Sequence, residues 1–153
     1  MISKRKLLRI LESSGHRISS TTFYKYMTKE LCQCCQDQDG VRTPYYDESI
    51  IQEIITAHIL LDPKTFGYKS KEIAIARYIY LHRKEYGLYL DSQLPSWQDF
   101  KSAAKIIYPR CSVEDKRIVF GTHSMTRPYD MISVYADYKN IFNSREEKNA
   151  VNN

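Results

Sequence analysis

The chain has 153 residues, 42% of them hydrophobic and 27% charged, and a net charge of +5. That length buries one ordinary core or two small ones in close contact, and no run approaches the roughly 18 apolar residues of a membrane span, so a soluble globular protein without a membrane partner is expected. Four cysteines, three of them crowded as Cys32, Cys34 and Cys35, lack the spread of a secreted disulfide framework and agree with a reducing compartment.

The start, Met1 to Lys6, is basic but leads into Leu7-Leu8-Arg9-Ile10-Leu11-Glu12, too short and too charged for a signal-peptide core, and a cytoplasmic location is expected. The charge becomes informative once located. Residues 1 to 31 carry seven cations (Lys4, Arg5, Lys6, Arg9, Arg17, Lys25, Lys29) against two anions (Glu12, Glu30), while the other 122 residues carry sixteen of each sign. The whole excess therefore lies at one end, as an electrostatic footprint for a polyanion requires.

A first helix is expected over about Ser3 to Ser13, with Leu7, Leu8 and Leu11 inward, and Gly15 stops it. Ser19 or Ser20 then caps a second helix reaching Leu31. Phe23, Met27 and Leu31 recur at a spacing of four and give it an apolar face, while Thr21, Thr22, Lys25, Tyr26 and Lys29 are expected on the other side. Hydroxyls, a phenol and two flexible cations suit base edges and phosphates, and no carboxylate interrupts them until Glu30. Two short helices joined by a tight Gly-containing turn make a helix-turn-helix pattern, one that many helical hairpins share.

Asp37-Gln38-Asp39-Gly40 is a turn signal between Leu31 to Cys35 and Val41 to Tyr45, which reads as a small hairpin with Arg42, Thr43, Tyr45 and Tyr46 on its return arm. A third helix follows, its apolar face made by Ile50, Ile51, Ile54, Ile55, Ile59 and Leu61. After the connector Asp62 to Gly67, a fourth helix is expected from Ser70 to about Tyr86. Leu88 to Pro95 is irregular, and Ser96 opens a fifth helix with Trp97, Phe100, Ala104, Ile107 and Tyr108 on one side. Arg117 to Phe120 fits a last helical turn or a short strand. Pro128 opens a final helix to about Phe142, in which Met131, Val134, Tyr138 and Ile141 have heptad spacing with Tyr135 and Phe142 alongside; this stripe packs either on its own domain or on a second subunit.

No nucleotide-binding, hydrolase or zinc-protease signature is present, and acidic residues are scattered, so no catalytic residue and no enzyme activity are expected. Cys32, Cys34 and Cys35 do not have the paired spacing of a zinc site, and no metal or cofactor is expected. The histidines His16, His58, His82 and His123 stand apart in sequence. Thirteen tyrosines, among them Tyr80, Tyr86, Tyr89, Tyr108, Tyr129, Tyr135 and Tyr138 in the second half, suit an aromatic pocket for a small-molecule effector or, more commonly, a core whose hydroxyls reach its rim.

The order helix, turn, polar helix, Gly-tipped hairpin and apolar helix resembles the DNA-binding domain of MerR-type winged-helix regulators. In the family's recognition-helix pattern, S-x-x-T-L-R-Y-Y-E-x-x-G-L, the residues Ser19, Thr22, Phe23, Tyr26 and Leu31 hold matching or similar positions. Tyr24 stands where the family has Arg, Lys25 where it has an aromatic, and Glu30 where it has Gly. Gly40, Arg42 and Tyr45 or Tyr46 resemble the wing's G-x-R-x-Y, with Thr43-Pro44 inserted, and Gly67-Tyr68-Lys69-Ser70-Lys71-Glu72-Ile73 resembles a G-F/Y-x-x-x-E-I stretch after the third helix. The short back half, which lacks the family's long coiled-coil helix, resembles the small MerR-type repressors associated with CRISPR-linked transposons in cyanobacteria.

The expectation is thus a mainly α protein: a winged helix-turn-helix over 1–66 with a β-hairpin wing, a compact mostly helical region over 67–143 that dimerises, and a polar tail over 144–153. A homodimeric repressor on an inverted-repeat operator in double-stranded DNA is expected, while the resemblance leaves the sign of regulation open, because MerR-type relatives often activate by bending or untwisting a spacer. Arg17, Ser20, Thr21, Thr22, Lys25, Tyr26, Lys29, Arg42, Thr43 and Tyr45 are the expected DNA contacts, and Met131, Val134, Tyr135, Tyr138, Ile141 and Phe142 the expected dimer seam. The alternatives are an architectural or excision-type DNA-binding protein of a mobile element and a protein-interaction module such as an antitoxin.

Overall fold

The computed structural model describes residues 1–33, 45–126 and 128–151. The described residues are mainly helical, with two small antiparallel sheets. They fall into two compact units, one of residues 1–67 together with 142–153 and one of residues 68–141.

In the first unit β1 (Ile2–Ser3) runs into α1 (Lys4–Ser13), because Ser3 is both the strand's last residue and the helix cap, its hydroxyl accepting from the Lys6 N–H. α2 (Ser20–Thr28) is capped by Ser19, whose Oγ accepts from the Thr22 N–H. Both helices end in the same way. The His16 N–H reaches the Leu11 carbonyl and the Gly15 N–H that of Glu12; the Leu31 N–H reaches Tyr26 and the Glu30 N–H reaches Met27. These are paired Schellman closures, and each needs a left-handed residue at its crossing point. Gly15 supplies it at φ +81°, and Glu30, the position where the MerR-type pattern has Gly, supplies it at φ +61°.

β2 (Tyr45–Tyr46) pairs with β1, Ile2 opposite Tyr46 and Ser3 opposite Tyr45, and leads into α3 (Ile50–Leu61). α3 is the spine of this unit: Ile50, Ile54, Ala57 and Leu60 are fully buried, and even Gln52, Glu53 and Thr56 are inside. A helix that is apolar nearly all round has to sit in the middle of its neighbours. Gln33 fastens the chain to the start of this helix. Its N–H donates to Glu53 Oε2 at 2.7 Å, its side-chain amide donates to Ser49 Oγ at 3.1 Å, and its Oε1 accepts from the Asp47 N–H at 3.2 Å. The expected wing residues Gly40, Arg42 and Thr43, with Cys34 and Cys35, lie outside the described residues.

The second unit holds α4 (Ser70–Leu81), α5 (Trp97–Ile107), a three-stranded sheet of β3 (Ser112–Val113), β4 (Ile118–Phe120) and β5 (His123–Met125), and most of α6 (Pro128–Val151). Residues Ile118 to Phe120 are thus a strand, paired on both sides. α4 ends at Leu81, five residues short of the expected end, and the chain continues in turns to Gly87. Ser96 caps α5 in a reciprocal box with Asp99: the Asp99 N–H donates to Ser96 Oγ and the Ser96 N–H to Asp99 Oδ2. Ile73, Ile75, Ile79, Phe100, Ala103, Ala104 and Ile118 form the core, with Val134, Tyr135 and Tyr138 of α6.

α6 corrects two expectations. Its backbone stays helical to Val151, nine residues past Phe142, in keeping with a segment, Asn143 to Ala150, that holds no Gly or Pro and includes the helix formers Arg145, Glu146, Glu147, Lys148 and Ala150. The expected dimer seam is also spent internally. Met131, Val134, Tyr135, Tyr138 and Phe142 are each at most 7% exposed in the single chain, and Ile141 is half-buried. A stripe already covered by its own chain has no area left for a second subunit.

Candidate nucleic-acid interface

The apolar stripe of α2 docks as its spacing requires, with Phe23 at 0% exposure and Met27 at 7%, and Phe23 meets Tyr46 of β2 edge-to-face at 5.3 Å between ring centroids. What this docking leaves outside is set by the 3.6-residue period. Thr21, Tyr24, Lys25, Thr28 and Lys29 are exposed, Arg17 is exposed in the preceding turn, and Ser20 is half-buried.

Two expected contacts change role. Tyr26 is only 8% exposed, because a position three residues after Phe23 and one before Met27 falls on the docked side of the helix. Burial and, secondarily, the neighbouring Cys32 raise its phenol above the ordinary tyrosine range. Thr22 is half-buried and committed to the cap: Ser19 Oγ donates to its Oγ1 at 3.1 Å and accepts from its N–H. The outward hydroxyls are those of Thr21 and Thr28, and the Thr28 hydroxyl donates to the Tyr24 carbonyl at 2.8 Å.

Two features were missed in the sequence reading. Tyr24 is 49% exposed, and its Oη accepts from Lys4 Nζ at 3.2 Å, with the ammonium 5.0 Å from the ring centroid. This contact joins the cationic start of α1 to the outer face of α2. The second is α1 itself, where exposed Arg5, Lys6 and Arg9 share a groove with Ser3, Ser13 and Ser14. A spacing of four between Arg5 and Arg9 was the available signal, since it puts both guanidinium groups on one face. Tyr45 is 54% exposed and held in register opposite Ser3, beside the same cationic helix start.

Chemically the surface offers ammonium, guanidinium, hydroxyl and phenol groups with no acidic side chain between Arg17 and Lys29. That set can donate hydrogen bonds to phosphate oxygens and base edges. Among the described residues no group of three or more His, Cys, Asp or Glu side chains is placed to hold a metal ion. Cys32 is buried, Cys111 is a buried free thiol, and burial, the largest influence, raises the Cys111 thiol. Among the described residues no helix is long and apolar enough to cross a membrane.

No protein-family model matches the chain, and no curated protein or solved structure matches it. The likeness to MerR-type regulators therefore rests on the residues quoted for it.

Proposed function

We propose that the protein is a sequence-specific DNA-binding transcriptional regulator, a repressor that binds an inverted-repeat operator as a homodimer. The observation that carries this reading is the outer face of α2, where Thr21, Lys25, Thr28 and Lys29 are exposed on a helix whose other side is docked by Phe23, Tyr26 and Met27. The location of the entire charge excess within residues 1 to 31 supports it. α2 enters the major groove with Thr21 and Lys25 nearest the bases. Lys29, Arg17, Tyr45 and the α1 cations Arg5 and Arg9 contact the backbone. Arg42 and Thr43 of the expected wing extend the same contacts. The dimer face lies outside the α6 stripe.

Selection of bound duplexes from random DNA tests this, with the winner titrated against a scrambled duplex at two salt concentrations. An inverted repeat preferred by about a thousandfold or more is the expected result. Salt-sensitive binding without preference makes the protein architectural, as in excision complexes of mobile elements. A specific observation favours an interaction module instead: Tyr89, Leu90 and Leu94 are 72%, 65% and 48% exposed in one short loop. Recovery of a protein partner with no DNA binding at modest salt selects that reading.

A further inference from the structure

The second unit contains a cleft of about 410 Å³ that the proposed DNA contacts do not use. It is bounded by Lys71 from the first turn of α4, the chain from Ile107 to Cys111 at the end of α5, and Phe120 and Gly121 at the end of β4. We propose that this cleft binds a small planar carboxylate, its ring against Phe120 and Tyr108 and its acid group between Lys71 and Arg110.

The charge inside the cleft is one-sided. Its described walls carry Lys71 and Arg110 and no acidic side chain, and among the described residues Lys71 forms no ion pair. Lys71 is half-buried, with its ammonium 4.6 Å from the Phe120 ring centroid and 5.6 Å from that of Tyr108. An ammonium over ring faces is held by them electrostatically and gains more from an anion. The simpler reading is that the Lys71 stem only covers apolar surface. That reading accounts for the stem, but not for a second cation on the same cleft and the absence of any acid on its walls.

The walls also select a shape. Tyr108 and Phe120 meet edge-to-face, centroids 5.2 Å apart and planes at 83°, so together they form one aromatic wall of the cleft, against which a flat body can lie. The volume falls in the range of about 300–1,000 Å³ typical of small-molecule clefts. Arg110 presents a planar fork that matches a carboxylate, and Lys71 adds a point charge. The wall at Cys111 is fixed and carries no acid: Lys105 Nζ donates to the Cys111 carbonyl at 2.8 Å, and the buried thiol donates to the Ala104 carbonyl at 3.6 Å. The proposal stands whether or not the protein binds DNA.

The test uses the full chain labelled with ¹⁵N and three probes: benzoate, benzamide as its neutral counterpart, and inorganic phosphate. Benzoate is expected to shift the amides of Cys111 and Gly121 saturably, with benzamide at least about tenfold weaker and phosphate weaker still. Lys71→Met is expected to weaken benzoate about fivefold or more at an unchanged melting temperature; should that variant fail to fold, Arg110→Ala at the exposed rim serves in its place. Equal binding of benzoate and benzamide, phosphate binding as tight as benzoate, shifts confined to other residues, no saturable shift, or benzoate affinity unaltered in the variant overturns the proposal.

Discussion

Nδ1 of His16 lies 3.2 Å from Nδ1 of His58, so the turn between α1 and α2 is hydrogen-bonded to the spine helix of its unit. One ring supplies the proton and the other the lone pair, with the planes at 76°. Sequence spacing hides this pair, because the two residues are 42 positions apart. His58→Ala is expected to cost about 1–2 kcal/mol of stability, read by urea unfolding. An unchanged midpoint would show that the turn is held by other contacts.

The two lysines of α2 carry different duties. Lys25→Ala is expected to weaken binding to the selected operator by about 1–3 kcal/mol and to relax its sequence preference. Lys29→Ala is expected to weaken operator and random DNA alike and to flatten the salt dependence. Tyr26→Phe provides a control for the corrected placement, since a buried phenol leaves DNA affinity as it was. Fluorescence anisotropy on matched and scrambled duplexes checks all three.

Glu30 pays a steric cost for closing α2 at φ +61°. Glu30→Gly is expected to raise stability by about 0.5–1 kcal/mol, because glycine enters the left-handed region freely. Gly15→Ala is expected to lower it by about 1 kcal/mol through backbone strain alone, as a Cβ there meets nothing within 4 Å. Thermal melts of the pair should move in opposite directions.

Tyr68 donates to Asp137 Oδ2 at 2.6 Å, and burial first, then this bond and the nearby acids, raise its phenol far above the ordinary value. An acid with a raised folded pKa keeps its proton while the unfolded chain loses it. Its contribution is therefore complete below about pH 10 and declines as pH rises further. Melting temperature measured from pH 8 to 11 should fall less steeply in Tyr68→Phe than in the wild type.

Val134→Ala and Tyr138→Phe distinguish an internal stripe from an interface. Val134 is fully buried, and its truncation is expected to cost about 1–3 kcal/mol at any protein concentration. A loss that disappears as protein concentration rises would return the α6 stripe to the dimer seam.

Residues whose role depends on local spacing were legible in the sequence: Gly15 as a helix stop, Ser19 as one of two candidate caps, Ser96 as a cap, Phe23 and Met27 as a docked stripe, and Ile50, Ile54 and Ile55 as core, whereas Ile51, Ile59 and Leu61 of the same expected face are only half-buried. Tyr26 was misread although the spacing held the signal, since three residues after Phe23 and one before Met27 it falls on the docked side, and its phenol was given more weight than its position. The α6 stripe has the same period whether it faces its own chain or another, so periodicity could not choose. The second unit's sheet rests on two- and three-residue strands, too short for alternation to show. The Lys4–Tyr24 bond and the cleft around Lys71 are long-range assemblies with no local signature.

The first unit closes with residues from both ends of the chain, 1–67 and 142–153, while α6 also supplies Val134, Tyr135 and Tyr138 to the second. In synthesis, residues 1–67 precede Phe142 by the 74 residues of the second unit, and the packing around Phe142 has to wait until these have been made. The unit that carries the cationic surface can thus be finished only after the second unit has been made. Protection of first-unit amides in stalled chains should increase once residues beyond 142 have cleared the exit tunnel.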